Sequence, residues 1–130
     1  MSNTTIWLGR ILSGVTGLFV LSSGVNLTFV QSADLREGFA RFGYPPEVIP
    51  WIGVAALISA GLYLVPRSSI LGAVLLTGYL GGAVATHVRV KDPTFLAPLL
   101  IGVLVWAGLF LRDGRIRQIL LLAPVGKPMV

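Results

Sequence analysis

The chain has 130 residues, 55% hydrophobic and 12% charged, with no cysteine and a formal net charge of +5. Soluble domains carry about 25% charged residues, so this chain cannot coat an ordinary soluble enzyme, and its apolar excess equally excludes disorder. Without cysteine there is no disulfide framework, thiol redox pair or thiolate metal site.

The charged residues leave four long gaps: residues 11–33 (23 residues), 48–66 (19), 68–88 (21) and 93–111 (19). A helix rises about 1.5 Å per residue, so about 20 apolar residues cross a hydrocarbon core about 30 Å thick. A spanning strand would need only about 9–11 alternating residues, whereas these segments are apolar all round. The expected fold is all-α: a single membrane domain, a four-transmembrane-helix bundle with a short amphipathic helix in its first loop.

The first helix is expected at about residues 5–30. Arg10 can snorkel to the headgroups and Trp7 suits the interface. The apolar stretch is longer than the 7–15 residues of a signal-peptide core and no A-x-A-like site follows, so it reads as a retained span. In the loop that follows, Asp34 and Glu37 read as an N-cap with an acid three residues on. Leu35, Phe39 and Phe42 share one helical face, Gly43 is placed at C′, and Pro45-Pro46 blocks continuation. An amphipathic helix over 35–42, lying on the membrane or folded over the bundle, is expected.

The second helix is expected over 46–65, with Trp51 marking its interface, and the third over 68–88 after a tight turn. The third contains Gly78-Tyr-Leu-Gly-Gly82, a GxxxG spacing whose plainer reading is close packing within the bundle and whose alternative is a dimer face. The fourth, over 93–111, opens with Asp92-Pro93 as N-cap and N1, and Pro98 is placed to kink it. A basic tail occupies 112–130, with an apolar patch over 119–123.

Six basic residues (Arg10, Arg67, Arg112, Arg115, Arg117, Lys127) fall on the side of the termini and four (Arg36, Arg41, Arg89, Lys91) on the other. The positive-inside rule then puts both termini in the cytoplasm of a bacterial or archaeal inner membrane. The tail arginines abut the last span, which suits anionic lipid rather than nucleic acid. Four of the five acids (Asp34, Glu37, Glu47, Asp92) and the only histidine, His87, gather at the external mouth.

Phe42-Gly43-Tyr44-Pro45-Pro46, Leu64-Val65-Pro66-Arg67, Gly78-Tyr-Leu-Gly-Gly-Ala-Val-Ala-Thr-His87-Val-Arg89 and Trp106-Ala-Gly-Leu-Phe-Leu-Arg112-Asp113 resemble the DoxX-like family of small four-helix membrane proteins. The resemblance covers nearly the whole chain. It implies a membrane bundle; relatives are linked to quinone-coupled sulfur oxidation, to membrane oxidoreductase assemblies, or to assembly and trafficking. Two positions depart from the wider pattern. Asn26 stands where many relatives carry lysine, and Ala56 where they often carry glutamate. Loss of that intramembrane pair argues against a proton-coupled role.

No Ser-His-Asp arrangement, deep carboxylate or metal cluster points to catalysis, and no cofactor is evident. The leading expectation is an accessory or binding subunit of a membrane complex. Its alternative is a binding protein or enzyme with a site for a quinone, isoprenoid or other lipid at the external mouth, lined by Asn26, Tyr79, Thr86 and His87, with Trp51 or the loop aromatics as walls and Asp34, Glu37, Glu47 and Arg89 as polar partners. The plainer reading of His87 is an interfacial group bonded to an acid or carbonyl, and of Asn26, Tyr79 and Thr86, helix–helix hydrogen bonding. An oligomeric transporter ranks third. Expected partners are membrane lipids, a second copy, or another membrane protein.

Overall fold

A computed structural model describes residues 2–120; most of the expected tail, including its apolar patch beyond residue 120 and Lys127, lies outside the described residues. The helices are α1 (Asn3–Val25), α2 (Ala33–Arg41), α3 (Ile49–Leu64), α4 (Ser69–Arg89), α5 (Leu96–Arg112) and α6 (Gly114–Leu120), with no strand among the described residues. Short 3₁₀ turns open α3, α4 and α5, each beginning with proline: Pro46–Val48, Pro66–Ser68 and Pro93–Phe95. Proline's fixed φ and missing N–H suit the first helical position. Counted with these turns, four segments are long and apolar enough to cross a membrane: Asn3–Val30, Pro46–Leu64, Pro66–Arg89 and Pro93–Arg112.

α1 ends unusually. Its last turn, Asn26–Val30, widens to π-helix and closes on Gln31 in the left-handed region (φ 46°). The Asn26 amide donates to the Ser22 carbonyl (3.1 Å) and the Thr28 hydroxyl to the Gly24 carbonyl (2.7 Å). Such back-bonds offer the backbone an alternative to its own ladder, and π-turns recur next to functional sites.

α2 is capped by Ser32, not by the expected Asp34. The Ser32 hydroxyl accepts from the Leu35 N–H (3.3 Å), because the chain turns helical at Ala33. Asp34 instead lies in the first turn, where its charge faces the positive end of the helix dipole. The other end closes as expected at Gly43 (φ 90°). Gly43 N–H reaches the Ala40 carbonyl (3.0 Å) and Tyr44 N–H the Phe39 carbonyl (3.0 Å), a Schellman closure.

The four spans form a ring. α1 packs on α3 and α5, and α4 packs on the same two helices. The closest approaches occur at glycines. A Cβ on Gly72 of α4 would come within 2.1 Å of the Tyr63 nitrogen, and one on Gly108 of α5 within 2.5 Å of the Ser13 hydroxyl. The core consists of Val20 of α1, Ala56, Ala60 and Tyr63 of α3, Ala73, Leu76 and Leu80 of α4, Val105 and Leu109 of α5, and Ile116 of α6. At its centre Tyr63 is fully buried. Its hydroxyl donates to the Val105 carbonyl (2.6 Å) and pairs with the Ser13 hydroxyl (3.0 Å), so one side chain joins three helices.

The exterior is apolar as well as the core, and hydroxyl groups lie within. Ser13, Thr16, Ser59 and Ser69 are buried, while Trp7, Phe19, Phe29 and Trp51 are exposed. Small and hydroxylated groups inside with large apolar groups outside is the pattern of a lipid-facing bundle.

The GxxxG expectation needs correction. A Cβ on Gly78, Gly81 or Gly82 would meet nothing within 4 Å. The tight α3–α4 crossing falls at Gly72 instead, and the Gly78–Gly82 face opens onto a cleft. Gly72→Ala is therefore expected to lower stability in detergent by about 1–3 kcal/mol through overpacking against backbone. Gly78→Ala should stay within about 0.5 kcal/mol of wild type. Reversible unfolding of both variants checks this; equal losses would contradict the assigned crossing.

Candidate ligand cleft beneath α2

The amphipathic α2 folds over one end of the bundle. Beneath it, between α3 and α4, lies a cleft of about 390 Å³. Phe39, Phe42 and Tyr44 form its roof, Ile52 and Ala55 of α3 one wall, and Gly78, Tyr79, Gly82, Ala83, Thr86 and His87 of α4 the floor. Gly78 and Gly82 leave open space on that floor between the side chains of Tyr79, Ala83, Thr86 and His87.

Three contacts pin the roof. The Arg89 guanidinium donates to the Phe42 carbonyl. The Phe42 ring tilts against the His87 ring, centroids 4.6 Å apart. The Tyr44 hydroxyl meets the Thr86 hydroxyl at 2.9 Å. Thr86 also donates to the Gly82 carbonyl (2.8 Å). A hydroxyl has one proton, so the chain runs from Tyr44 to Thr86 to Gly82, and the Tyr44 oxygen keeps acceptor capacity.

His87 is fixed in the same way. Its Nδ1 lies 2.7 Å from the Ala83 carbonyl. A carbonyl only accepts, so Nδ1 carries the proton and, in the neutral ring, Nε2 is an acceptor. Among the described residues Nε2 makes no hydrogen bond. The polar end of the cleft thus offers acceptors, His87 Nε2 and the Tyr44 oxygen, at the rim of an aromatic and aliphatic slot. That pattern fits a ligand head that donates, such as a hydroxyl, joined to an apolar body.

Of the residues expected at this mouth, the cleft brings together Tyr79, Thr86 and His87. It does not include Asn26 or Trp51. Asn26 is satisfied by Ser22 and lines a separate cavity of about 370 Å³ with Phe19, Ser23 and Leu35. Trp51 is 72% exposed, turned away from the cleft while its neighbour Ile52 faces it. Asp34, Glu37 and Glu47 are exposed and make no side-chain hydrogen bond to His87. Arg89 acts on the roof backbone rather than on His87. Among the described residues no group of three His, Asp or Glu side chains could hold a metal ion.

The loop aromatics stand as the roof, but the sequence reading did not extend to the Tyr44 hydroxyl's bond to Thr86 or to the Ile52 and Ala55 wall. The available signal was an aromatic with a polar tip lying between the Gly43 cap and the Pro45-Pro46 helix start, in register to face α4.

Four apolar spans around an interior of small and hydroxyl-bearing residues define an integral membrane four-helix bundle. The chain belongs to the DoxX-like family, whose model matches residues 11–108 and so covers the whole cleft. No curated protein and no solved structure matches the chain.

The turn below His87 carries a pH dependence. Asp92 accepts from the hydroxyl and the N–H of Thr94, and these bonds, the hydroxyl's first, hold its carboxyl below the usual range. A depressed folded pKa gives stability that is present above the unfolded value of 3.8 and lost as pH falls through the folded one. The stability advantage of wild type over Asp92→Ala should therefore be constant at neutral pH and narrow below pH 3.8. An advantage that grew on acidification would contradict the cap.

Proposed function

We propose that this membrane protein binds a lipid-soluble amphiphile with a hydroxyl-bearing head (a quinol, an isoprenoid alcohol or a related lipid) in the cleft beneath α2. The observation that carries the reading is the fixed His87 tautomer: Nδ1 is committed to Ala83, leaving Nε2 as an acceptor at the mouth of an apolar slot. The exposed glycine floor supports it, because Gly78 and Gly82 leave room for a flat ring or chain against α4.

Holding such a molecule suits an accessory subunit of a membrane complex, one associated with an oxidoreductase where the amphiphile is a quinol. The named lining sets no carboxylate, thiol or second histidine beside His87, which supports binding over chemistry. The six-to-four excess of basic residues at the opposite end favours an outward-facing cleft in the cell membrane.

The test uses a short-chain quinol and its oxidised quinone, titrated into the detergent-purified protein. One hydrogen bond contributes about 1 kcal/mol, so the quinol should bind about fivefold or more tightly than the quinone. His87→Ala should remove that preference, while Trp51→Ala should not. Equal affinity for quinol and quinone, with His87→Ala unchanged, would overturn the reading.

A further inference from the structure

The opposite end of the bundle holds a further cavity, of about 300 Å³, where the start of α1, the α3–α4 turn and the end of α5 meet. Arg10 and Arg112 both line it, together with Ser13, Ser69 and Asp113. Both reach it because α1 approaches α5 closely there: a Cβ on Gly9 would lie 2.7 Å from the Arg112 nitrogen. Both arginines lie outside the segment that the family model matches.

Arg112 does not extend into the lipid headgroups, as a juxtamembrane arginine would. It folds inward. Its Nη2 donates to the Tyr63 carbonyl (2.8 Å) and its guanidinium carbon lies 5.0 Å from the Tyr63 ring centroid. Its Nε is buried without a hydrogen-bond partner. A guanidinium has five N–H donors, and among the described residues Arg112 uses one.

The cavity's other polar groups are already engaged. Ser69 donates to the Pro66 carbonyl (3.1 Å), and Ser13 pairs with Tyr63. Asp113, the one acid in the lining, is taken by Arg115 through three side-chain hydrogen bonds (3.1, 3.3 and 2.8 Å) and one from the Arg115 backbone N–H (2.9 Å). Its contact with Arg115 is the only ion pair among the described residues. Arg10 stacks on Trp7 at 5.3 Å and has no carboxylate partner among them. Two arginines, the exposed Arg10 and the half-buried Arg112, therefore line one cavity whose one acid is already bound by Arg115. A partly desolvated cation without a partner is costly at a membrane boundary.

We propose that this cavity is a binding site for one phosphate group, held by the forked donors of Arg112 and Arg10. Guanidinium matches phosphate oxygens in paired, charge-assisted hydrogen bonds. The group could be the phosphate of an anionic phospholipid, since the cavity sits at the rim of the bundle, or free phosphate from the adjoining water.

The experiment titrates the detergent-purified protein with phosphatidylglycerol in mixed micelles and, separately, with inorganic phosphate. Native mass spectrometry counts bound lipid, and thermal shift reads both ligands. Arg10→Gln is the chosen variant because the side chain's stack on Trp7 is not part of the core. Arg67→Gln is the control, an exposed arginine at the same end outside the cavity. Wild type should retain one phosphatidylglycerol per chain, with Arg10→Gln weakening it about tenfold, as loss of a charge-assisted hydrogen bond implies. Arg67→Gln should change it by less than about twofold. Arg112→Lys, which keeps the charge but loses the fork, should weaken it too. Saturable stabilisation by inorganic phosphate that depends on Arg10 would support the site with the soluble source. Equal weakening by Arg10→Gln and Arg67→Gln, or no one-to-one binding of either ligand, would overturn it.

Discussion

Hydrocarbon gives apolar side chains no reason to hide from it, so burial of leucine and valine cannot hold this bundle together as it would in water. What remains is close backbone approach and the need to satisfy buried polar groups. Both converge on Tyr63. Its hydroxyl ties α3 to α1 and α5, its backbone nitrogen sits under Gly72 of α4, and its carbonyl receives Arg112. One residue thus touches all four spans. α1 and α3 also meet closely at the other end, where a Cβ on Gly53 would lie 2.8 Å from the Thr28 nitrogen, so the bundle opens between α3 and α4 where α4 runs past Gly78.

The cleft follows from this division. α4 leaves its crossing at Gly72 and presents a face of glycine and alanine that no span covers. The first loop supplies the cover. Its Schellman closure at Gly43 sets the direction of the chain leaving α2 and puts Tyr44 against Thr86. Arg89, one turn beyond Ala85 on α4, holds the same closure by the Phe42 carbonyl. The acceptor pattern at the mouth is a product of backbone geometry: the Ala83 and Gly82 carbonyls absorb the protons of His87 and Thr86. The two ends of the bundle then differ in chemistry, acceptors beneath α2 and guanidinium donors beside α6.

The spans were legible because missing charge is a one-dimensional signal; the gaps in the sequence are the helices, with the proline starts. α2 was legible for the same reason, through the spacing of Leu35, Phe39 and Phe42 and the glycine at 43. Facing was not legible. Gly78 and Gly82 have the spacing of a packing motif, and only the third dimension reveals that Gly72 makes the crossing. Trp51 and Ile52 are adjacent in sequence, yet helical phase sends one to lipid and the other into the cleft. Asn26 looked like a site residue because a polar group in an apolar span needs a partner; it found one four residues back in its own helix. Arg112 was read from its position at a helix end, which says nothing about the direction of its side chain. Tyr63 passed unremarked although a tyrosine in the middle of an apolar hairpin requires a partner for its hydroxyl.

The central claim is that the buried Tyr63 hydroxyl couples the helices and so fixes the shape of both ends. A double-mutant cycle between Ser13→Ala and Tyr63→Phe, read by reversible unfolding in detergent, measures that coupling most directly. Hydrogen bonds between membrane helices are worth about 0.6 kcal/mol on average and up to about 1.7 kcal/mol, and a fully buried hydroxyl should fall in the upper half of that range. Strictly additive effects, with Tyr63→Phe as stable as wild type, would contradict the account.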